Sequence, residues 1–403
     1  MYAKVNVAAD TDTDTDTDQI VQDLNAKWRN YLNEQMNLNP DTFQLAQGCL
    51  GLQTSDNYGL FLMSDAVPPS SAVGYYDATS MKQRSSAYSM LLGALLPEVG
   101  ADALRTALGN NYTPWIQWSQ ANAPVAGDTY SSRLNQWGMA QAIDPGTIAA
   151  GQSAIMKAQN SELVKAQNAM WTNASKYQQQ FVLPGEPTAT LYVYTDTVDI
   201  AKNALQTSSG LTLNFDSSTG SSTVSHTFAE GSASGFYDIF SGGASASFEQ
   251  LNSKAASSTF TITGRIGAYA TVPVGAGGWY DSAEVDRAFN GQNDNTIWDP
   301  SSASGTYDSY FGQPDGALAR YVSQLVLVSD YSITVTSKAT YSQEEYQQIK
   351  AQASFGVWPF FSASGSTTHT TDYKLNSNSE LEATYELNKG LIQIWGVNIQ
   401  EQN

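Results

Sequence analysis

The sequence contains one cysteine, Cys49, two histidines, His226 and His369, and charged side chains at only 14% of its 403 positions. Each scarcity excludes something. One thiol cannot close an intrachain disulfide, so the fold must rest on ordinary packing and a disulfide-framework scaffold is ruled out. Two imidazoles are too few or too far apart for three-histidine zinc, facial-triad iron or binuclear copper, so neither a metal nor a cofactor is expected. A Cys–His nucleophile would have to join Cys49 to a distant histidine, with nothing local preparing either side. No GxxxxGK[ST] phosphate loop occurs. The glycines of VPVGAGGWY, Gly275, Gly277 and Gly278, lead into Trp279 and Tyr280 rather than into an apolar helix start.

Positive charge is also short. Nineteen Lys and Arg stand against thirty-eight Asp and Glu, a formal net charge of -19. That field repels polyphosphates, and no basic cluster offsets it, so nucleic acid is not an expected partner. Anionic lipid surfaces are disfavoured for the same reason, whereas a neutral glycan, a zwitterionic membrane or a protein subunit, including a second copy in a homo-oligomer, remain open. Long apolar runs are lacking too. The richest stretch, Ser85 to Leu108, is interrupted by Pro97 and carries Glu98, Asp102 and Arg105, so it reads as two short buried helices and not as a transmembrane helix. The start of the chain is acidic where a signal peptide would be apolar, which leads to the expectation of a cytoplasmic protein or one exported by another route.

What is abundant is Ser, Thr, Asn, Gln, Gly and Tyr, so neutral polar groups must cover most of the surface. Along the chain the hydrophobic period changes once. Residues 1–18, with Asp alternating with Thr from Asp10 to Asp18, read as a flexible acidic tail ending in an N-cap at Asp18. Ile20, Leu24, Trp28, Tyr31 and Leu32 then recur at helical spacing to about Met36. Residues 19–183 continue as a helical domain. A long helix from Thr147 to Gln180 carries Met156, Leu163, Met170 and Tyr177 in one stripe. Pro184, Gly185 and Pro187 mark the boundary.

Residues 188–403 alternate with period two. Phe260, Ile262, Ile266, Ala268, Ala270 and Val272 are placed on one face of a strand ended by Pro273. Tyr331, Ile333 and Val335 form another, Leu381, Ala383, Tyr385 and Leu387 a third, and Leu391 to Ile399 the last. The fold class predicted is α+β, a helical N-terminal region followed by a β-rich region of mostly antiparallel amphipathic strands. A weak internal echo links residues 236–274 to 355–399, through FSGGASASF at Phe240 and FSASGSTTH at Phe361.

The first functional expectation is a non-enzymatic binding or assembly protein. Its surface would be aromatic and hydroxyl-rich, with Trp279, Tyr280, Trp358, Phe360 and Phe361 displayed beside Gly or Ser at loop tips. A pore-forming, membrane-active protein is the alternative, because Ser217 to Val272 combines small residues with alternation suited to amphipathic hairpins. A glycoside hydrolase-like enzyme is the third. It would draw on Glu380, Glu382 and Glu386 along one strand, or on Glu284, Asp286 and Asp294 near a loop, as paired carboxylates.

Overall fold

The computed structural model describes residues 11–46, 53–70, 78, 81–96, 101–122, 130–158, 161–183, 187–224, 240, 246–292, 294, 297–299, 302–352, 356–361 and 369–402. Helix α1 (Thr11–Met36) buries Val21, Leu24, Trp28, Leu32 and Met36 along one stripe. It begins well before Asp18, so the segment from Thr11 is helical and not tail. Strand β1 (Phe43–Leu45) follows Pro40. After β2 (Gln53–Thr54) come α2 (Asn57–Asp65), α3 (Arg84–Ala94), α4 (Ala101–Leu108), α5 (Tyr112–Ala121), α6 (Tyr130–Ala140), α7 (Pro145–Ala158) and α8 (Glu162–Gln167).

One reading of this half needs correction. The expected long helix from Thr147 to Gln180 is instead α7, α8, a π turn, a 3-10 turn and strand β3 (Gln178–Phe181). The Ser161 hydroxyl accepts from the Val164 amide at 3.3 Å and starts a fresh helix, so Leu163 and Met170 reach the same core without a continuous helix between them.

The second half contributes β4 (Ala189–Tyr192), α9 (Val198–Thr207), β5 (Leu211–Asp216), α10 (Ala246–Ala256), β6 (Phe260–Pro273), α11 (Ser282–Asn290), α12 (Tyr307–Phe311) and β7 (Arg320–Thr340). It closes with α13 (Gln343–Gln352), β8 (Gly356–Val357), β9 (Phe360–Phe361), β10 (His369–Leu375), β11 (Glu380–Leu387) and β12 (Ile392–Glu401). The chain is thus α+β, with its helices concentrated early and an antiparallel sheet late. Among the described residues eight strands form that sheet, and β7 is its axis. One edge of β7 pairs with β6 along most of its length. The other edge pairs first with β12 and then with β11, the change falling between Val328 and Tyr331. The upper half therefore runs β5-β6-β7-β11-β10. The lower half runs β6-β7-β12, with β1 and β2 from the first half of the chain completing it.

The sheet bends where these halves meet. Asp330 is left-handed (φ 54°), and the Cβ of an alanine at Gly267 would lie 2.3 Å from the Asp330 carboxylate. Gly264 has φ 147° and presses its backbone against Ser332 O, 2.2 Å from where a Cβ would stand. Across this line the alternation changes sides. Leu325 and Leu327 face a core shared with α2, α3, α8 and α9, whereas Tyr331, Ile333 and Val335 face a second core shared with α1 and α10. The strand at 260–273 does not keep one face, as its alternation suggested: Phe260, Ile262 and Ile266 join the second core and Val272 the first. A third cluster, around Trp115, Leu134 and Trp137, holds α4 to α7 together.

Candidate functional site: the upper sheet and its two crossovers

The upper half of the sheet has one packed face and one polar face. Register places Asn214, Thr263, Thr334, Thr384 and Asp372 in one row across five strands. The rows beside it are Asp216, Thr261, Thr336, Glu382 and Lys374, and Thr212, Arg265, Ser332, Glu386 and Thr370. Asn214, Thr263, Arg265, Glu386 and Asp372 are exposed, and Thr334 Oγ1 lies 2.9 Å from Thr384 Oγ1. The surface is hydroxyl-rich, as expected from composition, but Trp279, Trp358 and Phe360 are not on it.

Trp279 is 1% exposed and Trp358 and Phe360 are 0% exposed, so none of them is a solvent-facing tip. The glycines before Trp279 serve close packing: Gly277 donates to Val193 O at 3.0 Å, and a Cβ there would sit 2.4 Å from that oxygen. The Trp279 indole donates to the same carbonyl at 2.8 Å. Tyr280 is half-buried and shares the Arg84 guanidinium with Tyr321, each ring centroid 4.5 Å away. Trp358 Nε1 donates to Asn25 Oδ1 at 2.7 Å, and Phe360 packs between Tyr385 and Trp395. Phe361 lies in β9, and its side chain is outside the described set, as are His226 and Cys49.

The glutamates of β11 meet cations and amides. Glu380 pairs with Lys338 at 3.4 Å, Glu382 pairs with Lys374 at 3.1 Å, and Asn376 Nδ2 bridges the two carboxylates at 2.8 and 3.2 Å. Glu386 accepts from Ser332 Oγ at 3.4 Å. The Asn376 amide, and then Lys338, hold Glu380 below the usual carboxylate range, the opposite of what a general acid needs. Glu284 is buried against Arg287 at 2.6 Å, and Asp286 accepts from Gln402 at 2.8 Å. The partners shown for Glu380, Glu382, Glu386, Glu284 and Asp286 are cations, amides and a hydroxyl, as for structural carboxylates.

Two crossovers decorate the packed face. Residues 217–259 join β5 to β6 and include α10, while residues 341–368 join β7 to β10 and include α13. Phe248, Leu251 and Ala255 of α10 and Ile349 of α13 enter the core beneath the sheet. Lys254 reaches Glu345 at 2.8 Å and holds that carboxyl below its usual range, helped by the Ser342 amide. Phe240 bridges to Val357, so the two stretches that echo each other in sequence touch in space.

A buried polar cluster escaped the sequence reading. Asp65 accepts from the Ser85 amide and hydroxyl, both at 2.7 Å, and from Tyr194 OH at 2.8 Å. Burial pushes Asp65 up against these hydrogen bonds and the nearby Arg84. Asp196, 1% exposed, accepts from Ser64 Oγ at 2.8 Å, and burial pushes it up to about 7. The signal in the sequence was Ser64–Asp65 at the end of the apolar helix LFLMSD, an unusual place for a carboxylate.

Among the described residues no group of His, Cys, Asp and Glu is arranged to hold a metal, and no helix is long and apolar enough to cross a membrane. No protein-family model, curated protein or solved structure matches this chain.

Proposed function

We propose that this protein is a membrane-active assembly protein whose two crossovers unfold from the sheet and refold as amphipathic hairpins. The observation that carries the reading is the pairing of α10 with α13: each helix sits in a crossover between strands of the sheet, the first joining the antiparallel neighbours β5 and β6 and the second joining β7 to β10, which run parallel with β11 between them, and the two helices meet on one face. Three physical points support it. Both crossovers are rich in small and hydroxyl residues with few charges, a composition that suits strands with one lipid-facing and one water-facing side. Each is long enough for two membrane strands of about ten residues with a turn between them. The Lys254–Glu345 pair is about one-third exposed on each side, so parting it costs little, on the order of 0–1 kcal/mol.

The net charge of -19 directs such a protein to neutral lipid. Vesicles of phosphatidylcholine, with and without sterol, are expected to release a trapped dye. A Lys254→Cys/Glu345→Cys variant in a Cys49→Ser background, joined by a short bismaleimide, should keep its fold and lose leakage. Intact vesicles with the unjoined protein, or full leakage with the joined one, would overturn the reading.

The hydroxyl rows of the polar face favour a second reading, binding of a neutral partner there. Thr263, Thr334 and Thr384 stand side by side on adjacent strands, about 4.8 Å apart along the sheet, on a surface where several charges are paired. Replacing Thr334 and Thr384 by valine tests it, since the strands keep their shape and lose the ladder.

A further inference from the structure

An open groove of about 580 Å³ lies between the end of α11 and the α12 region, away from the crossovers and the polar sheet face. That volume falls in the usual range for small-ligand sites, roughly 300–1,000 Å³. Tyr307 and Phe311 line it, with Gln292, Asp308, Gln313 and Asp315 around them. Tyr307 is half-buried and wedged by its neighbours: its ring lies 5.3 Å from Phe311, 6.3 Å from Phe289 and 6.0 Å from Trp298. A ring so fixed loses little entropy when a ligand stacks on it.

The polar groups are preset as well. Gln313 Oε1 accepts from Arg320 Nη1 at 2.9 Å, which anchors the amide and leaves its N–H donors for a ligand. Asp308, Asp315 and Gln292 are exposed, and among the described residues neither aspartate makes an ion pair. Asp315 acts on Arg320 only at longer range. Among the described lining residues there is no Lys or Arg.

We propose that this groove binds a neutral pyranose, as the terminal sugar of a glycan. The C–H face of the sugar would stack on Tyr307, adjacent hydroxyls would donate to the Asp308 and Asp315 carboxylates, and the Gln292 and Gln313 amides would take the remaining hydroxyls. Two carboxylates with no lining cation repel sialic acids, uronic acids and phosphates, which makes the sugar neutral. The inference is independent of membrane activity, since leakage from sugar-free vesicles does not involve these residues.

The test is saturation-transfer NMR on the whole chain in EDTA, with methyl glycosides of mannose, galactose and glucose and with N-acetylglucosamine, beside N-acetylneuraminic acid and tetramethylammonium as controls. At least one neutral sugar is expected to bind. Its affinity should fall by about tenfold or more in Tyr307→Ala and in Asp308→Asn/Asp315→Asn, and survive in Tyr307→Phe, which keeps the platform. Circular dichroism identifies any variant that misfolds, and Asp308→Asn alone then carries the test, because that side chain is exposed. No neutral sugar binding at tens of millimolar, unchanged affinity in the folded variants, or binding of tetramethylammonium alone would overturn the proposal.

Discussion

Individual side chains show how burial redirects chemistry that the sequence left open. Trp358 fills the second core and donates to Asn25, so Trp358→Ala removes both a large apolar volume and a buried hydrogen bond. A loss of about 3–5 kcal/mol is expected in urea unfolding, with no selective effect on any surface ligand. Asp196 makes a pH prediction. Its folded pKa of about 7 lies above the 3.8 of the exposed group, so the native state holds the proton more tightly than the unfolded chain. The stability it contributes is fully present below pH 4 and is lost as pH rises through about 7, and Asp65 acts in the same direction. Asp196→Asn, which stays neutral, should flatten that dependence. Urea midpoints measured from pH 5 to pH 8 would show the change, and an unaltered slope would count against the assignment.

At the scale of elements, the bend across β6 and β7 governs which side of each strand is packed. Gly264 supports a positive φ and a backbone contact that no side chain tolerates. Gly264→Ala is therefore expected to cost about 1–3 kcal/mol, whereas Gly390→Ala, with a positive φ but open space around it, should cost less. Thermal melts of the two variants give the comparison. Strand alternation was legible at Tyr331 to Val335 and at Leu381 to Leu387, because those segments stay on one side of the bend. It misled at Phe260 to Val272, because a two-residue period carries no record of where a strand turns over.

For the whole molecule, the decisive fact is that both main cores take residues from both ends of the sequence. Trp28, Phe43 and Leu45 pack with Phe260, Tyr385 and Trp395, and Leu60, Tyr88 and Leu163 pack with Val272, Leu325 and Ile394. The expected division into residues 19–183 and 188–403 has its boundary at 184–186, outside the described residues, but the packing on either side is shared. Unfolding is therefore expected to be one cooperative transition, with tryptophan fluorescence and far-ultraviolet circular dichroism coinciding, and residues 188–403 expressed alone should not fold. Two separated transitions would restore independent domains. The charge excess also acts over the whole surface: DNA and RNA should give no salt-dependent binding at micromolar protein.

Local interactions explain what the sequence determined by itself. Helix α1, the break between α3 and α4, the strand at β11 and the α+β class follow from periodicity and punctuation, which act over a few neighbours and need no distant partner. The neutral, hydroxyl-covered surface likewise follows from composition. Only tertiary structure decided that Trp279, Trp358 and Phe360 face inward, that Glu380 and Glu382 meet lysines and Asn376, and that Tyr194 donates to Asp65 in the core. The same holds for the ring and carboxylates around the groove at Tyr307. An aromatic beside glycine is compatible with a loop tip or with close backbone packing, and a carboxylate with a catalytic pair or a salt bridge. The choice is made by residues far along the chain, such as Val193 for Trp279 and Asn25 for Trp358, whose approach depends on the whole fold.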